Sequence, residues 1–379
     1  MKRVRRLLLA GGGHAHVEVL RRFGLQPEPD VEIVLVSPAP ATPYSGMLPG
    51  LVAGHYLHAD CHIDLPALCR FASARFVQDA VTGLPDACRS VSLEAGGSLE
   101  ADLISLDVGS TPPRSRITGA DRVGTGVKPV DAFLAELERR LSDPPAEPAR
   151  VLVVGGGAGG VEIALALRHR LGGADASSAS RRWQVGIVSG GPVLLPGHGQ
   201  PVRRRIAALL DRRGLSVRLG VPVAAADAGG LWLADGTRLE ADWVVWATGA
   251  APPAWLGSAG LALDASGFVL VDACLRSVSH PAVFAAGDVA TLAERAHPKS
   301  GVYAVRQGPP LAANLRRALT GQPLLTWQPQ RRTLALLATG PRHAVASWGP
   351  LSVAGAWVWH WKDRIDRGFM RRYQGLAAR

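Results

Sequence analysis

Short, nearly uninterrupted apolar blocks recur along the chain, and each closes on glycine or serine. Leu7 to Ala10 runs into Gly11-Gly12-Gly13, and Val151 to Val154 runs into Gly155-Gly156-Gly157. Val31 to Val36 ends at Ser37, and Val185 to Val188 ends at Ser189. Blocks this short predict strands covered on both faces, and the stretch after each glycine run has helical spacing. The two stretches are versions of one pattern, strand then glycines then helix start, and the echo continues downstream. Leu99-Glu-Ala-Asp102 leads to Gly109-Ser110, while Leu239-Glu-Ala-Asp242 leads to Thr248-Gly249-Ala250. Both copies then reach a Pro-Pro pair, at 112–113 and 252–253. Self-similarity of this kind predicts duplicated α/β units.

The repeat sets an expected layout. Residues 1–120 and 121–245 hold one copy each, and no third glycine loop starts over 246–321. Residues 322–379 form a small α+β tail. Helices are expected over Asp131 to Leu141 and from about Gly301 to Leu319, with a loose loop over Gly172 to Ser180. Tail strands are expected over Leu334 to Ala338, Ala344 to Trp348 and Leu351 to Val353. In the terminal helix, Trp357, Trp361, Ile365 and Phe369 recur every four residues, with Lys362, Arg364, Arg367, Arg371 and Arg372 around them. Aromatic plus basic suits a membrane interface. A stripe docked on its own domain or on a second subunit is the preferred reading, because Asp363 and Asp366 dilute the charge.

Composition narrows the class. Of 379 residues, 47% are apolar and 19% charged, which is a globular balance. No apolar run reaches the ~18 residues of a membrane span. The opening basic residues and Leu7 to Ala10 imitate a signal peptide, but the apolar part is far short of the ~7–15 residues needed. A cytoplasmic chain is expected. The formal charge of +11 comes mainly from scattered arginines without a nucleic-acid-binding signature, so no nucleic-acid partner is expected. Cys61, Cys69, Cys88 and Cys274 form no C-x-x-C pair; no metal site is expected, and buried reduced thiols are.

The glycine loops carry the chemistry. A dinucleotide pyrophosphate needs backbone N–H groups at the positive end of a helix. Gly155, Gly157 and Gly160 complete the fingerprint, one for the turn, one for phosphate approach, one for helix–strand packing. In the first loop Gly11 and Gly13 fit, but His16 takes the third place and must point away from the helix–strand contact or widen it. His14 either touches the cofactor or merely crowds the helix start. The acidic residue that grips ribose hydroxyls is absent twice, replaced by Ser37 and Ser189, so NADPH is as admissible as NADH.

Two further stretches are specific, Trp246-Ala-Thr-Gly249-Ala250 and Val283-Phe-Ala-Ala-Gly287-Asp288. With them, residues 5 to 320 resemble the FAD-dependent pyridine nucleotide-disulfide oxidoreductase superfamily, in its type II NADH dehydrogenase and apoptosis-inducing-factor-like branch. The fold so implied is α/β, two Rossmann-like three-layer ββα domains with the NAD(P) domain inserted into the FAD domain. The cofactors implied are FAD and NAD(P)H. Gly11-Gly-Gly-His14-Ala-His16, Tyr44-Ser-Gly-Met-Leu-Pro-Gly50 and Lys128-Pro129 resemble a subgroup found alone or fused ahead of selenide, water dikinase.

The resemblance implies roles. Gly11, Gly13, His14, Ser37, Gly109, Gly249, Gly287 and Asp288 would hold FAD, with Asp288 on the ribityl chain. Gly155, Gly157, Gly160 and Ser189 would hold the nicotinamide dinucleotide. Arg306 and Gln307 would face the flavin carbonyls, and Tyr44 to Gly50 would wall the isoalloxazine pocket. Glu162 would lie near the nicotinamide–flavin junction, to orient the carboxamide or relay a proton, or would be only a first-turn glutamate. Lys128 would stabilise reduced flavin, or be a solvated loop lysine. The dithiol members carry C-x-x-x-x-C where this chain has Tyr44 to Gly50, so electrons are expected to pass directly to an external acceptor, a quinone by analogy. Two other readings stand: reduction of a selenium or sulfur species linked to the kinase, and a non-enzymatic flavoprotein sensor.

Overall fold

In the computed structural model the described residues are 3–112, 117–172, 182–330 and 332–376. The expected Gly172–Ser180 loop lies outside them apart from Gly172, which ends a helix.

The two apolar blocks that precede the glycine loops are the central strands of two parallel five-stranded sheets. In the first, Arg5–Ala10 lies between Val31–Ser37 and Leu103–Leu106, with Arg75–Gln78 and Val283–Ala285 at the edges. In the second, Ala149–Val154 lies between Trp183–Ser189 and Trp243–Trp246, with Ser216–Leu219 and Thr125–Gly126 at the edges. A central parallel strand is flanked on both sides and covered on both faces, which is why Leu7, Leu8, Leu9 and Ala10 are wholly buried. Each sheet is accompanied by a three-stranded antiparallel sheet, Val81–Gly83 with Ser90–Leu93 and Ser98–Glu100, and Val223–Asp227 with Gly230–Leu233 and Arg238–Glu240. These are the α/β, Rossmann-type layers that the repeat implies.

The edge strands record the chain path. The first sheet takes its last strand, Val283–Ala285, from beyond the second sheet, so the chain leaves after Leu106, builds the other unit and returns. The outgoing and returning segments pair where they cross. Thr111 N–H donates to Ala251 O at 3.0 Å, and Ala251 N–H donates to Thr111 O at 2.7 Å. Pro112 and Pro252 adjoin this bridge. On the first unit, helix Gly301–Thr320 packs on His14–Leu25, so closely that a Cβ at Gly308 would lie 2.7 Å from the Glu18 Cβ.

The tail is a three-stranded antiparallel sheet, Ala335–Ala338, Ala344–Trp348 and Leu351–Gly355, followed by helix Ala356–Gln374. The helix does dock on its own protein, but not by the expected stripe. Trp357, Trp361 and Ile365 are exposed, and of that stripe only Phe369 is buried. The buried face is Val358, Trp359, Lys362, Asp366, Phe369, Met370 and Tyr373. Lys362 is therefore not surface charge. Its ammonium donates to Asp366 Oδ2 and to Gly46 O, both at 2.5 Å. Pairing at i,i+4 lets two charges enter a buried face that aromatic spacing alone would assign elsewhere.

Removing one partner of such a pair strands the other charge. Lys362→Ala should lower unfolding free energy by roughly 3–5 kcal/mol, read by urea denaturation, whereas Arg364→Ala, exposed on the same helix, should change little; equal effects would refute a buried pair.

Candidate dinucleotide sites

Both glycine turns solve one steric problem. Gly11 has φ +95°, and a Cβ there would lie 2.4 Å from Asp107 O; Gly155 has φ +140°, and a Cβ would lie 2.2 Å from Ala247 O. The turn presses on the end of the neighbouring strand, which leaves room only for glycine. In the second loop Gly160 repeats the constraint, 2.1 Å from Gly155 O and 3.5 Å from the Ala247 methyl. Gly157 and Gly249 have nothing within 4 Å of an added Cβ, so the mouth of helix Ala158–Gly172 is open. Thr248 Oγ1 is buried there without a hydrogen-bond partner among the described residues. An open helix N-terminus with an unpaired hydroxyl beside it fits a dinucleotide.

The first loop is built differently. His16 turns into the protein beneath its helix, wholly buried. Its Nδ1 lies 2.6 Å from Gly11 O and its Nε2 2.8 Å from Ser105 Oγ. A carbonyl only accepts, so Nδ1 carries the hydrogen and Nε2 accepts from the serine. Burial pushes the ring's pKa down to about 4, which keeps it neutral. The repeat places Asp107 opposite Ala247, and the Asp107 carboxylate caps the helix, accepting from Ala15 N–H at 2.8 Å and His16 N–H at 3.2 Å. Gly13 makes room for it; a Cβ there would lie 2.2 Å from the carboxyl carbon. Burial, with help from nearby Asp288, pushes the Asp107 pKa up to about 7. Asp107 escaped the sequence reading, although a lone acid where the second copy has alanine was visible.

Around this cap the expected residues gather. Asp288 accepts from Ser110 Oγ at 3.1 Å and from Lys128 Nζ at 3.2 Å, so Lys128 is anchored rather than freely solvated. Gly109, at φ +71°, borders open space. His14 Nε2 is buried without a partner, its pKa pushed down to about 4 by burial and then by Lys128. Its ring meets Tyr44 edge-on at 5.6 Å, and Tyr44 stacks on Phe369 at 4.2 Å. An orphaned imidazole nitrogen and an anchored lysine–aspartate pair fit a polar, anionic cofactor.

Other expected residues lie differently. Gln307 is wholly buried; its Oε1 accepts from Gly287 N–H at 2.6 Å, which positions the Gly287–Asp288 turn, and its Nε2 lies 3.2 Å from His297 Nε2. Arg306 is exposed on the same helix. Ser37 Oγ donates to Ala39 O at 3.1 Å, and Ser189 Oγ accepts from Gly191 N–H at 3.3 Å, so both hydroxyls support their own turns. Cys61 and Cys69 are buried free thiols, each pushed up to about 12 by burial, which makes them poor nucleophiles.

Glu162 sits where the two units and the tail meet. Its Oε1 accepts from Ala338 N–H at 2.7 Å. Burial pushes its pKa up to about 7; Lys362 opposes the rise and Asp366 adds to it. Asp366 is itself pushed up by burial despite Lys362, and it lies beside the Tyr44 hydroxyl. Buried Lys362 and Asp366 thus join partly buried Tyr44 and Glu162 in one group of protonatable side chains.

A family described as pyridine nucleotide-disulphide oxidoreductase matches residues 5–308. An NADH dehydrogenase-like protein of Mycobacterium tuberculosis is 31% identical over 274 residues, covering 70% of this chain and 68% of that protein. The type II NADH:quinone oxidoreductase Ndh of the same organism is 31% identical over 266 residues, covering 62% of this chain and 56% of its own length. Among solved structures, the sulfide:quinone oxidoreductase of Aquifex aeolicus superposes with TM-score 0.80 at 19% identity, covering 98% of this chain and 92% of that one. NDH2 from Plasmodium falciparum, in complex with NADH, superposes with TM-score 0.79 at 15% identity, covering 97% of each chain. At these identities the structural likeness speaks for the fold.

Since pyrophosphate adds negative charge beside Asp107, flavin binding should favour the protonated carboxyl. The affinity of the flavin-free protein for FAD should fall as pH rises through about 7, by up to about tenfold per pH unit. Asp107→Asn keeps the cap and should flatten that dependence in fluorescence titrations; parallel slopes for both proteins would count against it.

Proposed function

Because this chain belongs to the pyridine nucleotide-disulphide oxidoreductase family, we propose that it passes electrons from NAD(P)H through FAD to a quinone, with Glu162 as the proton-handling residue of the acceptor half-reaction. The chain is an NADH dehydrogenase-like flavoprotein oxidoreductase that uses FAD and NAD(P)H. When bound beside Gly11, Gly13 and Asp288, FAD would supply the redox chemistry between nicotinamide and acceptor.

The chain's own residues do the rest. Gly11, Gly13 and the helix beginning at His14 receive the flavin dinucleotide, with Gly109, Asp288 and Lys128 beside it; Gly155, Gly157 and Gly160 receive the nicotinamide dinucleotide. Gln307 holds the Gly287 turn in place from below. Lys128, paired with Asp288, supplies positive charge where reduced flavin is anionic. Quinone reduction consumes protons, and a carboxyl pushed up to about 7 can both hold and release one near neutrality. That half-buried carboxyl, held by Ala338 and within the electrostatic reach of Lys362 and Asp366 from the tail, is the observation that carries the reading. The quinone-reducing relatives support the acceptor.

A lipid-soluble acceptor also needs a route. Trp357, Trp361 and Ile365 are exposed on the terminal helix and Trp348, Leu351 and Val353 on the tail sheet that precedes it, side chains suited to resting on a bilayer. Among the described residues no helix is long and apolar enough to cross a membrane.

Anaerobic stopped-flow should show flavin bleaching by NADH or NADPH and recovery on adding a quinone. Glu162→Gln should leave bleaching intact, slow recovery by roughly 100-fold and abolish the fall in recovery rate as pH rises past about 7. Recovery with a sulfur or selenium species and none with quinone would refute the quinone assignment. In vesicle flotation, wild type should float with anionic liposomes, and Trp357→Ser/Trp361→Ser should stay behind; equal flotation would remove the bilayer contact.

A further inference from the structure

Outside the dinucleotide sites, one cluster has the composition and geometry of a metal centre. His58 and His62 lie four residues apart, at the start of helix His58–Cys61 and of the strand that follows it. Their rings stack with centroids 3.5 Å apart and planes 8° from parallel, so the exposed His58 ring must rotate off the stack for both imidazoles to reach one ion. Asp131, in the first turn of helix Val130–Ser142, reaches over from the second unit. Its Oδ1 lies 3.4 Å from His58 Nε2 and 3.6 Å from His62 Nε2. One ligand atom from each of the three residues falls within 4.8 Å of the other two.

His62 makes the cluster more than surface coincidence. Its side chain is only 4% exposed, and its Nε2 is buried with no hydrogen-bond partner among the described residues. Its Nδ1 lies 2.8 Å from His58 O, so Nδ1 must carry the hydrogen and Nε2 presents a bare lone pair. A backbone carbonyl holding the far nitrogen is the usual way a metal-binding imidazole is oriented. That nitrogen faces a carboxylate oxygen 3.6 Å away, an arrangement that favours a cation between them. His58 and Asp131 are 59% and 60% exposed, so both can turn inward toward the ~3.3 Å ligand separation of a tetrahedral centre with ~2.0–2.1 Å bonds.

We propose that His58, His62 and Asp131 form a binding site for a zinc-type divalent transition metal, with solvent in the fourth position, that clamps the inserted unit to the first. Two imidazoles and one carboxylate suit zinc rather than calcium or magnesium, which prefer oxygen ligands throughout. The clamp also restrains Lys128, three residues before Asp131 and paired with Asp288 across the same junction.

The test uses the full-length flavoprotein stripped with a chelator, titrated with Co²⁺ and then Zn²⁺. Expected are one Co²⁺ per chain, read as absorption beyond the flavin bands, displacement by Zn²⁺, and a rise in melting temperature. Asp131→Asn and His58→Ala, both at exposed positions, should weaken binding by more than roughly 100-fold, beyond what loss of a supporting partner causes. His62→Ala should do the same, and His360→Ala, an exposed histidine elsewhere, should not. Metal-free melting temperatures of the Asp131 and His58 variants should match metal-free wild type. No saturable binding at equimolar metal, or undiminished binding in Asp131→Asn, would overturn the site; neither result bears on flavin reduction or quinone turnover.

Discussion

The molecule is organised by one close approach made twice: a glycine turn pressed against the end of a neighbouring parallel strand. At Gly11 and Gly155 an added Cβ would strike a backbone carbonyl, so the helix that follows starts directly above the sheet. That placement aims its N–H groups into the crevice at the strand ends. The other parts of the site are arranged around these two helix mouths. Asp288 and Lys128 come to the first, Thr248 and Gly249 to the second, and the bridge between Thr111 and Ala251 holds the two connecting segments together.

Within that shared frame the two loops diverge by an exchange of two side chains. The second loop keeps glycine at the third position and alanine at the strand end, so the helix sits low and its mouth is clear. The first carries His16 and Asp107 instead. The imidazole fills the space beneath the helix with both nitrogens bonded, and the carboxyl caps the mouth. An internal acid at a helix mouth makes the charge of that mouth a matter of proton occupancy, and burial pushes the Asp107 pKa up to about 7. His16 therefore turns into the helix–strand contact rather than pointing away from it.

The tail completes a site that neither unit holds alone. Ala338 anchors Glu162, the helix beyond brings Lys362 and Asp366 under Gly46, and Phe369 covers Tyr44. Charges are buried here because each has a partner, which lets the group keep dissociable protons away from bulk water.

The chain's order of strands, glycines and helices was readable because those signals are local. A run such as Leu7 to Ala10 can only be a covered strand, and a glycine before a helix marks a turn whichever protein contains it. The duplication followed from motif positions and the return to the first unit from the family resemblance, whereas the pairing of Lys128 with Asp288 was not foreseen. Contacts distant in sequence were not readable in that way. Asp107 reaches Ala15 across 92 residues, Tyr373 reaches Glu18 across 355, and Asp131 meets His62 from another unit. The terminal helix shows the limit most directly. Its aromatic spacing is a local pattern, but which face is buried depended on whether Lys362 found Asp366 and Gly46 O. Local sequence determined the elements and their turns; tertiary packing decided which charges could be buried, because the cost of burying a charge is set by partners that only the folded chain brings near.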